Sequence, residues 1–171
     1  MPSMRNIVAT AKAIHAEISN ALGPPEDGLS ATTQPVIMMS LVRGTRGYIE
    51  KVSNQINGAY ENGWYDACAV MLRRLIETLI IETFEHHNIA NKIQNQAGDF
   101  VYLRDLIDRT LAETSWNLSR NTKQALPKLK DVGDKSAHSR RYVAQRGDIQ
   151  PLLTDIRTVV QELLYLSNLK T

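Results

Sequence analysis

Apolar side chains return every three or four residues along most of this chain, a rhythm that admits little besides packed helices. Between 149 and 166 they fall at Ile149, Leu152, Leu153, Ile156, Val159, Val160, Leu163, Leu164 and Leu166. That spacing predicts a helix with Asp148 as its cap. The stretch 64–87 carries one apolar face of Trp64, Cys68, Met71, Leu72, Leu75 and Leu79, while Val70, Ile80, Ile81 and Phe84 cover much of the rest. A helix apolar on most sides sits centrally in a bundle or at a subunit interface. Weaker versions of the pattern predict a helix over 3–22, a long one from Pro35 to about Asn62, and one opened by Asp99. Another is expected near 119–132, interrupted or restarted at Pro127 and stopped at Gly133. No alternating strand pattern of useful length is present. The expected fold is all-α, an antiparallel bundle of four core helices with short accessory helices.

Glycine and proline collect between the apolar stretches. Gly23-Pro24-Pro25-Glu26-Asp27-Gly28 ends the first helix, and the polar run to Gln34 reads as a linker. The chain thus divides into an N-terminal helix and linker over 1–33 and a bundle domain over 34–171. A length of 171 residues is ample for one such core. The single cysteine, Cys68, lies in an apolar run and reads as a core residue. One thiol forms no disulfide within the chain, which fits a reducing compartment. No secretory leader pattern opens the sequence, and no apolar run approaches the length that spans a bilayer. A cytoplasmic protein without membrane contact is expected.

Net charge is only +2, but its distribution is uneven. Between Ser119 and Arg146 eight cations face two anions, Asp131 and Asp134. Clustered cations attract phosphates and displace counterions, so Lys130, Lys135, Arg140 and Arg141 are candidate nucleic-acid contacts. A solvated basic loop is the competing reading. His138 lies inside this window, where neighbouring cations favour the neutral imidazole that a general base requires. On the helix 64–87, Arg74 and Glu77 are spaced to meet on one face, and a shielded pair there braces the bundle, serves a dimer contact, or meets His138 and its substrate. The histidines, cysteine and carboxylates lack metal-ligand spacing, and phosphate-binding glycine loops and nucleophile elbows are missing, so no metal or cofactor is expected.

Two segments carry a family resemblance: Tyr60-Glu61-Asn62-Gly63-Trp64-Tyr65-Asp66-Ala67 with Leu72-Arg73-Arg74-Leu75-Ile76-Glu77, and Gly133-Asp134-Lys135-Ser136-Ala137-His138. Together they resemble a bacterial domain-of-unknown-function branch of the HEPN superfamily, small helical domains of prokaryotic defence and toxin systems. The resemblance spans about 40–170. It implies a HEPN-like bundle, a homodimer, RNA as partner, and an operon-encoded protein partner in antiviral defence or stress response. HEPN ribonucleases cut RNA without metal, using an arginine four to six residues before a histidine. This chain has no arginine at that distance before His138, and Lys130 lies a residue or so too far upstream. The resemblance therefore implies a degenerate metal-independent ribonuclease, with His138, Arg74 and Glu77 as its catalytic candidates and Arg73 as the alternative arginine from the same helix. A non-catalytic dimeric protein-interaction module is the alternative.

Overall fold

A computed structural model describes residues 4–21, with side chains through Glu17, and residues 34–170. The expected stop at Gly23–Gly28 and the linker after it lie outside the described residues. The fold is the all-α bundle that the periodicity predicts. Its helices are α1 (Met4–Ala21), α2 (Met39–Val42), α3 (Gly47–Glu61), α4 (Tyr65–His86), α5 (Leu103–Ala112), α6 (Arg120–His138), α7 (Arg146–Ile149) and α8 (Leu153–Leu166). Short 3-10 turns lie at Ala90–Ile93 and Gln150–Leu152. Among the described residues the only bridge of β type joins Gln94 and Phe100, and no helix is long and apolar enough to cross a membrane.

Helix α4 forms the centre. Leu75, Leu79, Ile80 and Phe84 are fully buried against Ile49 and Ile56 of α3, Leu126 of α6, and Ile156, Val159 and Leu163 of α8. The pairs α3 and α4, α4 and α6, and α6 and α8 run antiparallel, whereas the C-terminal ends of α4 and α8 meet, so those two run parallel. Gly63, at φ +73°, turns α3 into α4 in the left-handed conformation that glycine adopts without strain. The Trp64 amide donates to the Ala59 carbonyl and the Gly63 amide to that of Tyr60, closing a Schellman motif over the free carbonyls of α3. At the far end of the same hairpin, Arg46 reaches Glu82 at 2.8 Å. The four described core helices α3, α4, α6 and α8 thus match the expected number.

Several boundaries fall elsewhere than the sequence predicts. The helix expected from Pro35 to Asn62 is two pieces, because Gly44 adopts φ +81° and its amide turns to the Glu50 carboxylate at 2.7 Å. Asp99 does not cap α5. Its amide and carbonyl both bond Asn95, and the helix begins four residues later at Leu103. Asp148 does not cap a single final helix either. It is the third residue of α7, where its carboxylate accepts the Gln145 amide in a capping box. Pro151, which has no N–H to donate, then holds a 3-10 turn between α7 and α8.

The largest departure concerns α6, which runs unbroken through both Pro127 and Gly133. Pro127 lies on the exposed side, so the Lys123 carbonyl that loses its helical donor faces water. Gly133 is buried and does not stop the helix. A Cβ there would lie 2.7 Å from the Cβ of Arg73 and 3.2 Å from the Ala69 carbonyl oxygen. The glycine is what lets α6 touch the backbone of α4.

Candidate functional site

The close approach at Gly133 sets the geometry of the sequence-derived site. Arg73 projects from α4 toward α6, and its Nε donates to Asp134 Oδ1 at 2.9 Å. Its Nη1 lies 3.5 Å from Glu77 Oε2, one turn along the same helix. From the other side, Lys130 Nζ donates to Asp134 Oδ2 at 2.6 Å. One carboxylate is thus shared between two cations on the seam of two helices. Partial burial pushes the Asp134 carboxyl up, but the bonds and charges of Lys130 and Arg73 outweigh it and hold it below its ordinary value. The Asp134 bond correspondingly raises the Lys130 ammonium above its ordinary value.

The expected Arg74–Glu77 pair is not formed. Glu77 takes Arg73 instead, and Arg74 is exposed and joins no ion pair among the described residues. The helical period explains this. The buried face of α4 centres on Leu72, Ile76 and Leu79, and successive steps of about 100° put Arg74 on the opposite side. Arg73 and Glu77 flank that face together on the side toward α6.

His138 is the last residue of α6, one turn and about 6 Å of rise beyond Asp134. It is exposed and makes no hydrogen bond or ion pair among the described residues, with Arg74 and Glu77 included in that statement. A histidine general base works when a partner fixes its tautomer and orientation within reach of the reacting proton. No described residue of the chain supplies that partner.

The four candidate phosphate contacts separate into two groups. Lys130 is engaged by Asp134 and lies 3.7 Å from Asp131, with 18% of its side chain exposed. Lys135, Arg140 and Arg141 are exposed and unpaired among the described residues. They fall within seven residues that contain no acidic side chain, and His138 lies among them. The loop that follows is tied at several points. The Ala144 amide donates to Asp66 Oδ1 at 3.0 Å, anchoring the loop to the first turn of α4. Burial, together with a hydrogen bond to Asp148 and the charges of Asp148 and Asp66, pushes the Tyr142 hydroxyl up to about 12. The basic loop is thereby held against the bundle at a fixed place. Lys135 and His138 also lie in the last turn of α6, where cations complement the helix dipole.

Cys68 is fully buried, and burial pushes its thiol up to about 12, so it is held as the neutral core residue the sequence suggests. Among the described residues no three His, Cys, Asp or Glu side chains converge as metal ligands would. Sequence reasoning passes over two carboxylates that the fold uses strongly. Glu82 is buried on α4 and takes both Arg46 and the Tyr48 hydroxyl. Glu162 on α8 accepts the Ser119 amide at 2.6 Å and the Ser119 hydroxyl at 2.7 Å, and also bonds the Thr122 hydroxyl. For Glu82 the signal in the sequence is an acid set within an apolar helical face; for Glu162 none is local, since its partners lie some forty residues away.

No protein-family model matches the chain, and neither curated proteins nor solved structures yield a significant match.

Proposed function

We propose that this chain is a HEPN-like helical domain that contacts RNA phosphates through the acid-free segment 135–141, in bacterial defence or stress response as its motif resemblance implies. The observation that supports this most is the division of labour among the cations. Asp134 engages Arg73 and Lys130 within the fold, whereas Lys135, Arg140 and Arg141 project from an anchored helix end with no carboxylate to neutralise them. Unpaired cations at a fixed place bind a polyanion by releasing its counterions, without further chemistry.

The test is RNA affinity measured across a salt series. Three contacts to single-stranded RNA correspond to a slope of about −2 in log affinity against log salt. The triple variant Lys135→Ala, Arg140→Ala, Arg141→Ala should flatten that slope toward zero and weaken binding at low salt by about tenfold or more. An unchanged slope in the triple variant defeats the proposal.

A sharper form adds metal-independent cleavage, with His138 as general base and Arg74 stabilising the phosphorane charge across a homodimer. Dimerisation supplies the orienting partner that the single chain lacks. The outward side of α4 offers it a surface, since Val70 (37% exposed) lies one turn before Arg74 and Trp64 (58% exposed) is the residue that precedes the helix. Cleavage in EDTA should give a 2′,3′-cyclic phosphate end, and His138→Ala should reduce the rate by about 10²-fold or more. Equal rates for the parent and the variant exclude this form while leaving phosphate contact standing. The same exposed Trp64 and Val70 favour the second reading, a non-catalytic dimeric interaction module that also engages an operon-encoded protein; salt-insensitive RNA binding together with a dimer in light scattering would select it.

A further inference from the structure

The turn between the 3-10 segment Ala90–Ile93 and α5 holds two aromatic rings out of the bundle. The Asn95 side chain fixes it, accepting the Ala97 and Asp99 amides at 2.9 Å each, while the Asn95 amide donates to the Asp99 carbonyl at 2.8 Å. Gly98, at φ +89°, closes the bend. The chain leaves it extended, and the Val101 amide donates to the Ile93 carbonyl at 3.0 Å. Side chains alternate along an extended segment, so Val101 packs against the core while Phe100 and Tyr102 face out, 39% and 82% exposed. We propose that Phe100, Tyr102 and the carboxylates beside them form a docking surface for an arginine-bearing segment of a partner protein.

Charge complementarity carries the proposal. Between Gln94 and Asp108 three acids, Asp99, Asp105 and Asp108, face one cation, Arg104, a balance of −2 in a chain of net +2. Asp105 and Asp108 lie within two turns of Tyr102, on the side of α5 away from its buried Leu103, Leu106 and Ile107. Arg104 lies 3.5 Å from Asp105, whereas Asp99 and Asp108 are exposed and join no ion pair among the described residues. The next cation along the chain, Arg109, is turned to the Lys92 carbonyl and neutralises neither. The aromatic corner is therefore bordered by free carboxylates, the reverse of the segment 135–141.

The partner's chemistry follows from that border. Free carboxylates repel phosphates and anionic lipids, which leaves a cationic protein segment as the complementary macromolecule. Arginine fits the corner better than lysine, because its planar guanidinium both pairs with a carboxylate and stacks on an aromatic face. Tyrosine rings already held in place lose little conformational freedom on binding, and aromatic side chains of this kind dominate interface energies. The Asn95 turn supplies that fixed placement. This surface shares no residue with the segment 135–141, so the present proposal and the RNA reading fail independently.

Fluorescence anisotropy of a labelled peptide of alternating arginine and glycine, titrated with the full chain, tests it. The peptide should bind saturably with a Kd of about 10–100 μM, a lysine–glycine peptide at least about threefold more weakly, and a glutamate–glycine peptide not at all. Tyr102→Ala should weaken binding by about tenfold, and Tyr102→Phe should retain it because the ring remains. Asp99→Asn and Asp108→Asn together should also weaken it by about tenfold. Tyr102 is largely exposed, so Tyr102→Ala should leave the melting temperature unchanged. The triple variant at 135–141 should bind the arginine peptide no more weakly than the parent. Equal binding of the arginine and lysine peptides, unchanged binding by Tyr102→Ala, or no binding below about 1 mM overturns the proposal. A parent dimer that Tyr102→Ala converts to monomer in light scattering also overturns it, because the rings then belong to a second copy.

Discussion

Gly133→Val should lower the melting temperature by about 6–12 °C, a loss of about 3 kcal/mol in a domain of this size. The nearest obstacle to a new side chain is the Cβ of Arg73 at 2.7 Å, followed by the Ala69 carbonyl oxygen at 3.2 Å. Neither atom moves by a side-chain rotation, because both are fixed by the backbone of α4. The helices must separate, and separation also pulls Arg73 from Asp134. Gly133→Ala is the more informative partner variant. At a solvent-facing helical position that change is worth about 1 kcal/mol of added stability. Here the clash should reverse the sign and cost about 1–2 kcal/mol. Thermal or urea unfolding reads both, and a Gly133→Ala protein more stable than its parent would show that the seam yields.

Glu162→Ala should cost about 3 kcal/mol, because a single carboxylate holds the first turn of α6. It accepts the Ser119 amide and hydroxyl and bonds the hydroxyl of Thr122, a residue with no exposed surface. Removing it strands that hydroxyl in the interior, at a cost of about 1–3 kcal/mol, and deletes a negative charge from a helix N-terminus. Glu162→Gln keeps an acceptor and loses the charge, so it should cost about 1 kcal/mol. Thr122→Val placed in the Glu162→Ala background removes the stranded group and should recover part of the loss. Additive effects of the two substitutions in a double-mutant cycle would mean that the contact carries no coupling energy.

Both predictions rest on contacts between helices distant in sequence, and the same division separates what could be read beforehand from what could not. The apolar period located α4 and α8 within a few residues, and it also held the information that Arg74 lies opposite the buried face. Glycine and proline were ambiguous. A glycine after an apolar run signals a helix end at Gly63, where φ is +73°, and a contact point at Gly133, where the backbone is helical. The residue type is the same because both uses exploit the missing Cβ, and only the partner helix distinguishes them. Asp99 and Asp148 resemble caps by type, but Asn95 and Gln145 compete for their bonding groups and displace the helix starts.

The candidate site divides in the same way. A basic stretch containing His138 was visible as composition, since charge is a property of residue type. Which of its cations is available to a ligand was not visible. Asp134 engages Lys130 and Arg73 across the seam and leaves Lys135, Arg140 and Arg141 exposed.

By itself the sequence determined the fold class, the central helix and the location of the positive charge, because hydrophobic period and residue charge are local properties. The tertiary structure alone decided which helices touch, which carboxylate neutralises which cation, and which cations are left exposed without one. Those outcomes depend on distances between segments that the chain order does not specify.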